Sequence, residues 1–308
     1  MFNFKTFNNI AEDGLEILRE NNFQEVPENP DGLLLRSHAL TEEDFGENLK
    51  CVARAGAGTN NIPIDEATKQ GIVVFNTPGA NANAVKELVI CGMLLSSRGI
   101  IEGIEFAKKL DLKDSKGLNN AMEAQKKSFA GNELDGKTLG IIGLGSIGSM
   151  LAQAAQTLGM KLIGYDPYIS IESAWRLPRE VGKAETMDEL LHHSDYVSLH
   201  VPLAEETKNL INKSNLNNFK QGARLINLSR GGIVNTADVI EELETGNLGR
   251  FVSDFPTPEL IKRSAEKNDV VLLPHLGAST KEAEVNCAVM AANQMVNYLK
   301  HGTIVNSV

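Results

Sequence analysis

Three glycines, Gly143, Gly145 and Gly148, stand at G-x-G-x-x-G spacing in GKTLGIIGLGSIG, and Asp166 follows eighteen residues later in LIGYDP. Such spacing suits a dinucleotide. The first glycine permits a tight turn, the second leaves room for a pyrophosphate, and the third lets a helix lie close to its sheet. The phosphates then meet free N–H groups at the positive end of the helix dipole. A carboxylate ending the second strand accepts hydrogen bonds from ribose hydroxyls and repels an added phosphate, so Asp166 favours NAD over NADP. Residues 167–170 bring no cation to reverse that preference, and Arg176 is the next basic residue along the chain. Farther along, Arg230 in INLSRGG, Glu259 in SDFPTPEL and His275 in LLPHLGAST supply an anion anchor, an acid and a base. Hydride transfer from an alcohol needs those parts, and a guanidinium holds a carboxylate through two bonds.

The elements around these residues read as alternating strand and helix. Residues 139–142 form a buried strand, 149–158 an Ala-rich helix and 161–165 a second strand. Strands follow near 195–201, 224–228, 249–254 and 270–273, which is the doubly wound α/β pattern. Upstream, strand-like runs at 32–36, 50–55 and 72–76 alternate with helical stretches at 12–19 and 63–69, giving a smaller α/β lobe. One long helix is expected from 83 to about 110, with the polar stretch 111–132 breaking its periodicity. A last helix spans 280–300.

The 308 residues suffice for about two domains, and the net charge of −10 argues against gripping nucleic acid backbone or an anionic membrane. The N-terminus lacks a cationic segment followed by an apolar run, so no secretory signal is expected, and the apolar run 88–95 is too short to cross a bilayer. Cys51, Cys91 and Cys287 are widely separated in apolar contexts, which predicts reduced core residues in a cytoplasmic protein, with no disulfide and no metal. His200 sits in an apolar strand-like run, while His38, His192, His193 and His301 read as surface residues.

The strings GLGSIG, LHVPL, INLSRGG, SDFPTPEL and PHLGAST, in this order, resemble the D-isomer-specific 2-hydroxyacid dehydrogenase family over nearly the whole chain. The resemblance implies a Rossmann NAD-binding domain at 99–281. It implies as well a smaller, discontinuous flavodoxin-like α/β substrate domain made of 1–98 and 282–308. The family's active site lies in the cleft, and its members dimerise largely through the nucleotide lobes, so a homodimer acting on a small molecule is expected. Carried over, Arg230 binds the substrate carboxylate and the reacting oxygen, His275 is the acid/base and Glu259 orients it, raising its pKa and fixing its tautomer. The implied cofactor contacts are Gly143, Gly145, Ser146, Ile147, Gly148, Asp166, His200, Val201, Pro202, Thr207, Leu228, Ser229, Asp254 and Gly277. Asp254 reads equally well as a cap on its strand end.

Arg54, Ala57 and Gly58 in ARAGAGTNN and Asn81 in GANANAV resemble the family's substrate-facing loops. A strand-edge ion pair is the plain alternative for Arg54, and Lys86 either reaches a distal phosphate or is simply solvated. The segments around AGAGTNN and PHLGASTKEAE look most like members acting on D-3-phosphoglycerate in serine synthesis. Other 2-hydroxy acids are the near rivals, and an NADH-sensing corepressor-like protein is a distant one. Two departures from the resemblance are expected to matter. The regulatory domain that many such members carry after the last helix is expected to be lacking, which puts feedback by serine in doubt, and SDFPTPEL differs from the commoner acidic form of that segment.

Overall fold

The computed structural model describes residues 1–110 and 115–308. In chain order, β1 (Phe2–Phe7), α1 (Glu12–Glu20), β2 (Phe23–Glu25), β3 (Gly32–Leu35), β4 (Cys51–Arg54), α2 (Ile64–Lys69) and β5 (Val73–Phe75) come first. Then follow α3 (Ala82–Ser97), α4 (Ile100–Lys108), α5 (Ser115–Gln125), β6 (Thr138–Ile142), α6 (Ser146–Thr157), β7 (Lys161–Tyr165), α7 (Ile171–Trp175) and β8 (Gly182–Lys183). The chain continues through α8 (Met187–His193), β9 (Tyr196–Leu199), α9 (Lys213–Leu216), β10 (Ala223–Asn227), α10 (Thr236–Thr245), β11 (Leu248–Ser253), α11 (Pro258–Glu266), β12 (Val270–Leu272) and α12 (Lys281–His301).

These elements form two compact units, one of Met1–Ala84 with Ala278–Val308, the other of Val85–Gly277. The first holds a five-stranded sheet in the order β2-β1-β3-β4-β5, and its strand pairs are parallel. That is the flavodoxin-like order. β3, GLLL, is buried along its whole length, the continuous apolar run of a strand covered on both faces. α12 covers one face through Cys287, Ala291, Ala292 and Met295, which join Phe4, Leu18, Leu34 and Phe75 in one cluster. Small residues let α12 lie close to α1, since a Cβ on Gly14 would stand 2.8 Å from the Cβ of Ala288.

The second unit holds a seven-stranded parallel sheet in the order β12-β11-β10-β9-β6-β7-β8, the doubly wound arrangement expected, with the strand order reversing at β6. Apolar clusters cover its two faces, one centred on Leu199, Leu225 and Phe251, the other on Leu139, Ile141, Tyr196 and Val252. Val85, Val89 and Met93 of α3 belong to the latter, and this is why the unit boundary falls at 84/85 and not after 98.

Three local expectations are corrected. The helix expected over 83–110 is broken between α3 and α4. There the Ser97 carbonyl accepts from Asn132 N–H at 2.9 Å, and Gly99 N–H donates to Phe129 O at 3.0 Å, so residues 129–132 take groups a continuous helix would use. Within the polar stretch 111–132, residues 111–114 lie outside the described residues, but α5 and a 3₁₀ turn at Lys126–Phe129 follow. Cys91 is exposed, whereas Cys51 and Cys287 are buried as expected. No helix among the described residues is long and apolar enough to cross a membrane.

Candidate active site

The nucleotide-binding turn is built from local sterics. Gly143 has φ 92°, and a Cβ there would meet the His200 carbonyl carbon at 2.7 Å. A Cβ on Gly148 would lie 2.1 Å from Gly143 O, so α6 can pack onto the turn only with glycine at that position. Gly145 differs from both. A Cβ there would have no atom within 4 Å, and Gly145 is the N-cap of α6 with no side-chain cap. The first turn of α6, with Ser146 and Ile147, therefore presents uncapped N–H groups to a cradle left open by a missing side chain. A dinucleotide pyrophosphate fits there. Asp166 ends β7 beside this turn, with one carboxylate oxygen accepting Leu144 N–H at 2.8 Å and the other Tyr168 N–H at 2.9 Å.

His200 follows β9 across from the glycines, its N–H donating to Ile142 O at 2.7 Å. Its Nε2 is 2.9 Å from Ser198 Oγ, while Nδ1 is buried without a partner. Burial pulls its pKa down to about 4, so the ring is neutral at physiological pH. Thr207 shapes the turn after Pro202 by donating to Pro202 O at 2.6 Å and accepting Ala204 N–H at 2.8 Å. Ser229 Oγ donates to Val201 O at 2.6 Å, tying the ends of β9 and β10 together. Leu228, Asp254 and Gly277 converge as well: a Cβ on Gly277 would lie 3.3 Å from Asp254 Oδ2 and 4.0 Å from Leu228 O.

Arg230 leaves β10 in extended backbone, φ −149°, with Nη1 donating to Ser229 O at 2.7 Å and its own carbonyl accepting from Asn227 Nδ2 at 2.8 Å. Burial lowers its guanidinium pKa, although an arginine stays charged. His275 is exposed and left-handed at φ 57°. Its segment is held by Asp254, which is 1% exposed and accepts Leu276 N–H and Gly277 N–H on its two carboxylate oxygens, each at 2.8 Å. His275 N–H adds a bond to Asp254 O at 3.1 Å. The oxygens of Asp254 thus fix the backbone around His275, the strand-end capping role.

Glu259 is not brought to His275. It lies in the first turn of α11, whose N-cap is Thr257, and it bonds to its own N–H and to the Thr257 side chain, which hold its exposed carboxyl below the usual range. Among the described residues no hydrogen bond or ion pair joins Glu259 to His275. The imidazole meets Phe255 instead, edge-on at 5.2 Å between ring centres. Glu259 lines a cavity of about 650 Å³ together with Asn227, Gly231, Asn235 and Phe255.

In the first unit, Arg54 Nε donates to Arg36 O at 3.0 Å and Nη1 donates to Gly58 O. Ala57 O accepts from Asn76 Nδ2 at 2.7 Å, and Asn81 lies in the turn before α3. Lys86, in the second unit, stands 3.9 Å from Glu87. Sequence reasoning missed Arg36, which pairs with Glu284 at 2.6 Å. Both arginines act on the buried Cys287 thiol, opposing the rise that burial imposes on its pKa. β3 and β4 are neighbours in register Leu35↔Arg54, and that places Arg36 beside Arg54.

Residues 99–277 match the family described as "D-isomer specific 2-hydroxyacid dehydrogenase, NAD binding domain". The chain is 35% identical to D-3-phosphoglycerate dehydrogenase of Bacillus subtilis over 97% of its own length and 57% of that protein's. It is 37% identical to hydroxypyruvate reductase of Thermotoga maritima, over 87% of this chain and 85% of that one. The NAD⁺-bound crystal structure of 3-phosphoglycerate dehydrogenase from Entamoeba histolytica superposes with a TM-score of 0.78 at 28% identity, covering 100% of this chain and 98% of that one. The chain therefore spans little more than half the length of the Bacillus relative.

Proposed function

Since the chain belongs to the D-isomer-specific 2-hydroxyacid dehydrogenase family, with its NAD-binding domain at 99–277, we propose that it oxidises D-3-phosphoglycerate to 3-phosphohydroxypyruvate. The observation that carries the chemistry is His275, an exposed imidazole on a backbone fixed by the buried Asp254 at the carboxyl end of the sheet, where doubly wound folds bind ligands. When bound, NAD supplies the acceptor for the hydride leaving C2. His275 takes the proton of the C2 hydroxyl as that bond breaks, and Arg230 holds the carboxylate. Glu259 is assigned to orient the imidazole, for which its carboxylate leaves Thr257. The open cradle at Gly145 takes the pyrophosphate, and Asp166 takes the ribose hydroxyls.

The phosphorylated substrate is supported by the adjacent cations Arg36 and Arg54 of the first unit and by the name of the Bacillus relative. A second reading, reduction of unphosphorylated hydroxypyruvate, is favoured by the Thermotoga relative, 85% of which this chain covers. The working species is taken as a cytoplasmic homodimer, which sedimentation and fractionation test. The deciding experiment follows NADH oxidation with 3-phosphohydroxypyruvate, hydroxypyruvate, glyoxylate and pyruvate. A preference in kcat/KM of about 10²-fold for the phosphorylated acid, ~2.7 kcal/mol, supports the first reading. Equal or better turnover of an unphosphorylated acid replaces it with the second. Tight NADH binding without turnover of any acid leaves a corepressor-like sensor.

A further inference from the structure

We propose that Asn76 is a positioning residue for the loop of residues 56–58, held in place by Gln294 of α12 and by the segment that follows that helix. The inference rests on the reading that Arg54 and this loop bind substrate.

β5 is the last strand of its sheet, and residues 306–308 run antiparallel along its open edge. Phe75 bridges to Ser307, Val308 N–H donates to Val74 O at 3.0 Å, and Asn76 N–H donates to Asn306 O at 3.3 Å. Gln294, only 7% exposed, donates from its amide to Asn76 O at 2.9 Å and to Val305 O at 3.5 Å. Both backbone polar groups of Asn76 are thus satisfied by chain more than two hundred residues away.

With its backbone fixed, Asn76 acts through its side chain. The amide donates to Ala57 O at 2.7 Å, while the next residue's N–H, that of Thr77, donates to Gly56 O at 3.1 Å. Arg54 takes the third carbonyl, that of Gly58. All three carbonyls of the loop are therefore occupied on the protein side. The N–H of Gly56 bonds to Arg54 O at 2.9 Å, but among the described hydrogen bonds none uses the N–H of Ala57 or of Gly58. A turn whose carbonyls are tied back and whose successive N–H groups stay uncommitted suits an anion. Asn76 supplies the middle tie.

The test uses the full chain with 3-phosphohydroxypyruvate and hydroxypyruvate as probes. Asn76→Asp keeps the shape but replaces the donor with an acceptor facing Ala57 O, and Asn76→Ala removes it. Both should raise KM for the better probe by about fivefold or more, with kcat and NADH affinity within about twofold. Amide hydrogen exchange at Gly56 should quicken by about tenfold in both. Gln294→Leu, which unties Asn76 O without touching the loop, should move KM and exchange in the same direction by smaller factors. It decides the matter if the Asn76 variants fail to fold.

Unchanged KM and exchange in the folded Asn76 variants, or in Gln294→Leu standing in for them, overturn the proposal if Arg54→Ala raises KM. If Arg54→Ala leaves KM unchanged, or no probe is turned over, the substrate reading of the loop has failed. The exchange rate alone then decides whether Asn76 positions it.

Discussion

An imidazole at the end of a strand, on a left-handed backbone, needs something to hold it there, and Asp254 does so from a buried position. Asp254→Asn leaves an amide NH₂ facing one of two N–H donors, so thermal unfolding should show a loss of about 1–3 kcal/mol and turnover should fall with it. His275→Ala should cut kcat by about 10²- to 10⁴-fold with NADH binding retained, and a variant within a few-fold of the parent would place the base elsewhere. Asp166→Ala should narrow the NAD over NADP ratio of kcat/KM. Because Asp166 also accepts Leu144 N–H in the glycine turn, the same change should weaken both cofactors, which a loss of ribose contact alone would not do. His200 sets a pH dependence of stability. Burial pulls its pKa down to about 4 from an ordinary 6.5, so between those values the unfolded chain binds a proton that the folded chain refuses. Stability from this source is full above the upper value and falls as pH drops toward the lower, by on the order of 3 kcal/mol. Replacing His200 with Gln should flatten that limb of a urea-melt series run across pH.

At the scale of elements, the glycine turn was legible because each glycine answers a local steric demand that spacing alone reports. Gly148→Ala tests this: with Gly143 O only 2.1 Å from the added carbon, α6 must shift, and NADH affinity should fall by about tenfold or more while far-UV circular dichroism stays unchanged. Other features were legible only in part. β10, β11 and β12 were legible as strands in the alternation with helices, but β1 and β2 were missed, and β2 is only three residues long. Glu259 keeps its spacing from Arg230, yet the direction of its carboxylate is decided by the Thr257 cap of α11, which spacing does not report. Arg36 stayed hidden because only the order β3 beside β4 makes it a neighbour of Arg54. The break between α3 and α4 depends on residues 129–132, about thirty positions farther on, and within 83–110 only the glycines, Gly99 at the N-cap of α4 among them, hint at it.

For the whole molecule, the division into two units has a direct test. The second unit is one continuous segment with its own sheet and two apolar clusters, so residues 85–277 expressed alone should fold and bind NADH with little turnover of any 2-oxo acid. An unfolded segment by circular dichroism would show that its stability depends on the rest of the chain. The first unit is differently placed, because α12 supplies Cys287, Ala291, Ala292 and Met295 to the cluster that contains Phe4 and Leu18. On the ribosome, where domains generally fold as units, β1 through β5 emerge early but must wait for α12 before that cluster can close. Until then their apolar faces are exposed while the nucleotide-binding unit is still being made. The fold thus assigns the residues translated before the nucleotide-binding unit to the unit completed after it, and a nascent chain stalled before α12 should show 85–277 protected and β1 through β5 protease-sensitive.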